Sequence, residues 1–249
     1  MADFYVVFKD TTYEVATFDD GIAKARELGS DAVFYVTAPI GAENAYAADV
    51  NTVFALAEGK TILRLFAGAE STAVATSHVT VTGGTYSFVF TGGHKDSGTV
   101  ANSTLTFAGG RVSNMLLAGG WSVNGGTSIV NVTGGTISSL SSAPYEVGAV
   151  QDESTINISG GIIATYAGVR VRGRVNKATV NMTGGTITGD LIAGVGNSAR
   201  GSVGTNTITV SGGVINRVFG GGNNGSDPGS SKLGSIENSN IILKEKATL

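Results

Sequence analysis

The sequence predicts an all-β fold: a parallel β-helix (β-solenoid) of about seven to eight coils with a small N-terminal α/β cap. Behind this lies a phrase written six times: apolar, polar, apolar, small residue, Gly-Gly, any residue, apolar. Its first glycines stand at 83, 109, 134, 160, 184 and 212, in steps of 26, 25, 26, 24 and 28. A period of this length marks a solenoid with one repeat per turn. Glycine is also unevenly placed, with 3 of the 38 in residues 1–58 and 35 in 59–249. Finally, charged residues are 14% against about 25% in an average soluble protein, and apolar residues alternate with Thr, Ser and Asn.

Within each copy the side chains alternate in and out with a period of two. One inward column then reads Val79, Leu105, Val130, Ile156, Val180 and Ile208; a second reads Val81, Phe107, Val132, Ile158, Met182 and Val210. The Gly-Gly pair is expected to turn a tight corner, because glycine reaches positive φ without a Cβ clash. A third inward column follows it: Tyr86, Val112, Ile137, Ile163, Ile187 and Ile215. Small residues mark a second corner at Thr91-Gly92-Gly93, Ala118-Gly119-Gly120, Ala167-Gly168, Ala193-Gly194 and Gly220-Gly221-Gly222, replaced in one coil by Ser141-Ser142-Ala143-Pro144. Glu58-Gly59, 25 residues before Gly83-Gly84, signals an earlier coil at 54–68, and Ile241-Ile242-Leu243 reads as the first strand of a further turn.

Residues 1–52 read as a capping segment and 53–249 as the solenoid, with coils of ~26 residues. Strands at 4–8 and 32–36 flank a helix opened by Asp19-Asp20, acids at its positive end, with Ile22, Ala25 and Leu28 on one face. Such a cap covers the apolar columns and strand edges that a terminal coil exposes. The C-terminal end shows no comparable cap. Residues 1–58 carry 3 basic and 10 acidic groups, net −7; the remainder carries 13 and 9, net +4, summing to −3. That division suits head-to-tail self-association, with Lys244 and Lys246 at the assembly end meeting the acidic cap of a neighbour.

The helix-then-strand entry followed by glycine-cornered coils resembles right-handed parallel β-helix proteins, the pectin-lyase-like and autotransporter-adhesin-like group. The resemblance implies a right-handed coil. It implies no single activity, since that group includes lyases, hydrolases, phage tailspikes and surface adhesins.

No catalytic residue is assigned. Members of that group that cleave polysaccharide use clustered carboxylates or basic groups. Here only Asp152-Glu153 are adjacent acids, and they read as solvated surface; Asp190 stands where neighbouring coils have Met115 or Leu140. Cysteine is absent, and His78 and His94 lack partners at metal-ligand spacing, so neither a metal nor a cofactor is expected. In Val169-Arg170-Val171-Arg172-Gly173-Arg174-Val175 strand alternation would set Arg170, Arg172 and Arg174 on one face, a cationic stripe for an acidic glycan, a phosphate or an acidic neighbour. The outward residues Thr80, Thr106, Asn131, Asn157, Asn181 and Thr209 form an exposed polar ladder, expected to hydrogen-bond along the stack. Trp121, Tyr145 and Tyr166 are the aromatic candidates outside the core columns, and they read as not sharing a column.

Net negative charge without aromatics beside the arginines argues against nucleic acid, and no run of about 18 apolar residues exists to span a bilayer. The start shows no signal-peptide pattern. The reading is a non-enzymatic structural or adhesive solenoid, extracellular, of a bacterial surface or phage particle. Its partners are further copies of itself, a cell-surface glycan, or another surface or virion protein. Two alternatives stand beside it: a polysaccharide-acting lyase or hydrolase using Arg170, Arg172 and Asp190, and an ice-binding solenoid using the Thr/Asn face.

Overall fold

The structure, a computed structural model, describes residues 2–95, 97–169, 173–195, 201–220 and 235–244. It begins with an antiparallel hairpin, β1 (Phe4–Phe8) and β2 (Thr11–Val15). The sequence reading has no β2, because the turn is Lys9-Asp10, with Lys9 at φ 46°, and lacks the Gly or Asn that advertises a two-residue turn. Helix α1 (Phe18–Leu28) follows, capped by Thr17, whose Oγ1 accepts the Asp20 N–H at 3.1 Å. Its apolar side buries Ile22 and Ala25, and the Phe18 ring packs on Phe34 and Phe54 at 5.3 and 6.3 Å. The helix therefore plugs the end of the core, as the sequence leads one to expect.

Next come β3 (Val33–Val36), β4 (Asn44–Tyr46), β5 (Asn51–Ala55) and β6 (Thr61–Phe66), the short entering coils. Six full turns follow: β7 (Val74–Gly83) with β8 (Thr85–Phe90), β9 (Val100–Phe107) with β10 (Arg111–Leu117), and β11 (Gly125–Val132) with β12 (Thr136–Ser141). The later ones are β13 (Val150–Ile158) with β14 (Ile162–Val169), β15 (Arg174–Met182) with β16 (Thr186–Val195), and β17 (Ser202–Val210) with β18 (Val214–Phe219); β19 (Ser235–Leu243) closes the series. About six turns stack in this way, fewer than the seven to eight expected, because the two entering coils are shortened and carry no Gly-Gly corner.

Two sheets result. The first has eleven strands in the order β19-β17-β15-β13-β11-β9-β7-β5-β3-β1-β2; the second has eight in the order β18-β16-β14-β12-β10-β8-β6-β4. From β3 onward the strand pairs are parallel and stacked coil upon coil. All three inward columns are buried as expected, with Val79 the most accessible at 2%. Towards their C-terminal ends most strands of the second sheet are buried on both faces. Leu65, Val89, Leu116, Leu140 and Leu191 join the core shared with the first sheet. Phe66, Phe90 and Leu117 point the other way, into a second lobe with Val175 and Val203 from the first-sheet strands.

The Gly-Gly corners hold two glycines for two different reasons. The second of each pair has positive φ, from 72° at Gly135 to 92° at Gly213, a region that other L-residues enter only at a cost. The first does not. At Gly134 an added Cβ would overlap the carbonyl oxygen of Ala108 in the coil beneath, and at Gly160 that of Thr133. Stacking, as well as turning, therefore demands glycine here.

Gly160→Ala should lower stability by about 1–3 kcal/mol through overpacking against fixed backbone, and Gly161→Ala by a similar ~1–3 kcal/mol through strain. Ser159→Ala, one residue earlier and exposed, should change it by less than about 0.5 kcal/mol. Urea unfolding midpoints measure all three, and equal midpoints would show that the corner imposes no such constraint.

Candidate functional site

The polar ladder lies in register on the outer face of the first sheet: Thr80, Thr106, Asn131, Asn157, Asn181 and Thr209 are successive partners. Asn157 Nδ2 donates to Asn131 Oδ1 at 2.9 Å, and Asn181 Nδ2 donates to Asn157 Oδ1 at 3.0 Å. The amides thus direct part of their hydrogen-bonding capacity along the stack rather than outward. A parallel column on the same face, Thr104, Ile129, Thr155, Thr179 and Thr207, precedes the repeated phrase and so escapes a search built on it. Ile129 interrupts its hydroxyls.

Of the arginine run, Arg174 opens β15, directly after a bend at Gly173. Arg170 and Arg172 lie outside the described residues. Arg174 Nε donates to Asn176 Oδ1 at 2.8 Å, and its guanidinium lies 3.3 Å from Glu237. Asp190 faces Arg217 across one coil at 2.7 Å. Asp152 accepts from Asn176 at 3.2 Å, and Glu153 pairs with Lys177 at 3.3 Å. Lys244 is exposed, its N–H bonded to the Val210 carbonyl at 2.8 Å; Lys246 lies outside the described residues. Among the described residues no three His, Asp or Glu side chains converge.

What the structure does bring together is an aromatic cluster on the second sheet's outer face. The residue following each second corner stacks coil on coil. Trp121 N–H bonds to the Gly93 carbonyl at 2.9 Å and Tyr145 N–H to the Gly120 carbonyl at 3.0 Å. This sets His94, Trp121 and Tyr145 in one column. The Trp121 and Tyr145 rings are 4.6 Å apart at 33°, and Phe88 meets both edge-on at 6.1 and 5.7 Å. The reading that Trp121 and Tyr145 share no column is therefore corrected. The signal was present: Gly92-Gly93-His94, Gly119-Gly120-Trp121 and Ala143-Pro144-Tyr145 place each ring just after the corner. Tyr166 does stand apart, paired in register with Ser139 and Asp190 and almost fully buried.

Around these rings sits a polar rim. The Arg64 guanidinium lies 5.4 Å from the Trp121 ring, a cation–π distance. It also donates to Asn44 Oδ1 at 3.2 Å and lies 3.4 Å from Glu43. Tyr46 Oη and His94 Nδ1 are 2.8 Å apart. Burial, then the positive charge of Lys95, holds the His94 ring below the ordinary imidazole range, so the neutral ring, which accepts the Tyr46 proton, is the favoured form. Burial likewise pushes the Tyr46 hydroxyl up. Glu70 is held below the ordinary carboxylate range by its hydrogen bond to Lys95, 2.5 Å away.

Fold and surface together define a parallel β-solenoid with one elaborated aromatic face. No protein family, curated protein or solved structure matches this chain.

Asn157→Ala removes two ladder bonds and should cost about 1–2 kcal/mol at a partly buried site, read from the unfolding midpoint. The His94 shift also fixes a pH dependence. Its folded form resists protonation while the unfolded chain takes up a proton near the ordinary value of about 6.5, so its contribution to stability declines as pH falls through that value. The melting temperature of His94→Gln should accordingly fall less than that of the parent between about pH 7.5 and pH 5.

Proposed function

We propose that this chain is a non-enzymatic structural or adhesive solenoid of a bacterial surface or phage particle, assembling head to tail. The observation that carries the reading is the direction of the outermost strands of the first sheet. β1 is antiparallel to β3 and β2 is antiparallel to β1, so β2 runs the same way as β3 and, through the parallel series, as β19. Among the described residues β2 pairs only with β1, and β19 only with β17. Setting β19 of one copy beside β2 of the next continues the sheet as one more parallel pairing, with backbone hydrogen bonds supplying the affinity.

Side chains support the same arrangement. Ile242 and Leu243 on β19 are 40% and 45% exposed, an apolar edge of the kind that invites strand pairing. Glu14 lies in β2, Lys244 directly follows β19, and the −7 and +4 halves favour opposite ends meeting. The resemblance to right-handed pectin-lyase-like and autotransporter-adhesin-like helices supports an extracellular setting on a cell surface or virion. A lyase or hydrolase draws less support, since Asp152, Glu153 and Asp190 are all engaged in contacts with neighbouring coils. Ice binding draws less still, because the ladder amides bond one another and Ile129 breaks the neighbouring row.

Electron microscopy over a concentration series tests assembly. The parent chain should form filaments, and the double variant Lys244→Glu, Lys246→Glu should shorten or abolish them. Dispersed rods at every concentration, or filaments indifferent to the charge reversal, would remove the head-to-tail reading.

A further inference from the structure

The aromatic face has the composition of a ligand site. Trp121 and Tyr145 are half-buried, so each keeps part of its side chain open to solvent. Arg64 Nε is buried without a hydrogen-bond partner among the described residues, while Nη1 is held by Asn44 and Glu43. Partly open flat rings with a polar rim suit a sugar, its C–H face lying on a ring and its hydroxyls meeting the polar groups at the edge.

Shape and charge narrow the ligand. His94, Trp121 and Tyr145 come from three successive coils, so the platform runs about 10 Å, two strand spacings, along the solenoid axis. Phe88 forms its floor. The ionised groups nearby are balanced: Arg64 by Glu43, and Lys95 by Glu70. Half-buried Glu146 follows Tyr145 directly and would repel a uronate. Among the described residues around the rings, positive charge does not exceed negative charge.

We propose that Trp121 and Tyr145, floored by Phe88 and rimmed by Arg64, form a subsite for the hexopyranose rings of a neutral glycan. The subsite draws on neither β2 nor β19, so its test is independent of head-to-tail assembly.

Trp121 is the only tryptophan, so its emission reports on the site without a label. The full chain is titrated with maltohexaose, cellohexaose and mannohexaose, and with hexagalacturonate as the acidic probe. At least one neutral hexaose should change the emission saturably, with isothermal calorimetry giving the same Kd. Tyr145→Ala should weaken that binding about tenfold, the scale of one good ring contact. Tyr145→Phe keeps the ring packing and loses only the hydroxyl, so its loss should be smaller, and circular dichroism and the melting temperature confirm that both variants remain folded. A purely architectural role would lower the melting temperature of Tyr145→Ala and leave no glycan signal in the parent. Absence of saturable change with every neutral hexaose up to about 10 mM, a concentration that reaches even weak binding, overturns the proposal. So does binding of hexagalacturonate alone, or undiminished binding by Tyr145→Ala.

Discussion

Parallel strands stacked one coil apart leave only a strand spacing, about 4.8 Å, between a corner and the corner beneath it. Everything else in this molecule is arranged around that distance. A side chain at Gly109, Gly134 or Gly160 would occupy the carbonyl oxygen of the preceding coil, so the polypeptide can turn there only where backbone meets backbone. Because the corner is fixed, each strand enters at the same register, and residues some 25 positions apart become nearest neighbours. The contacts that define the molecule are accordingly vertical: Asn131 to Asn157 to Asn181, Glu153 to Lys177, Asp190 to Arg217, and Phe66 on Phe90 with ring centres 4.6 Å apart.

The same spacing governs how charges are placed within a column. A charge placed in a column has a neighbour directly above and below, and like charges there repel at close range. In the described columns the chain answers with alternating signs or with neutral Thr and Asn. Most long apolar side chains line the lumen or the second lobe, with Leu63, Ile162 and Val214 among the exceptions. That lobe is also where the aromatic face is anchored: Phe90 is fully buried beneath Trp121, 5.6 Å from it, so the half-exposed rings stand on a rigid base rather than on a mobile loop.

Stacking leaves the two ends unlike. At the start, the β1–β2 hairpin reverses direction and α1 lays Phe18 against Phe34 and Phe54, closing the lumen with a different kind of element. At the far side the last described strand, β19, continues the parallel series and leaves Ile242 and Leu243 partly exposed. Among the described residues β2 and β19 each keep one edge without a strand partner, and these two edges are the physical basis of the assembly reading.

The repeat itself was legible in the sequence. Alternation told which side chains enter the lumen, and residues as different as Tyr86 and Val112 fell into the same column because position, not identity, decides it. The helix was legible too, from Asp19-Asp20 and the Ile22–Ala25 spacing. The β2 strand was not, since Lys9 adopts a left-handed conformation that its residue type does not announce. The proposed site was legible only in part: Trp121 and Tyr145 stand out by type, but their partnership depends on the register of the second corner, which varies in sequence from Gly-Gly to Ala-Pro. Local pattern alone thus determined the coil, its lumen and its glycine corners, because those rest on a short period and on steric exclusion. The tertiary structure decided which corner residues stack, which charges pair and how each end is closed, because those depend on contacts between residues a full turn apart.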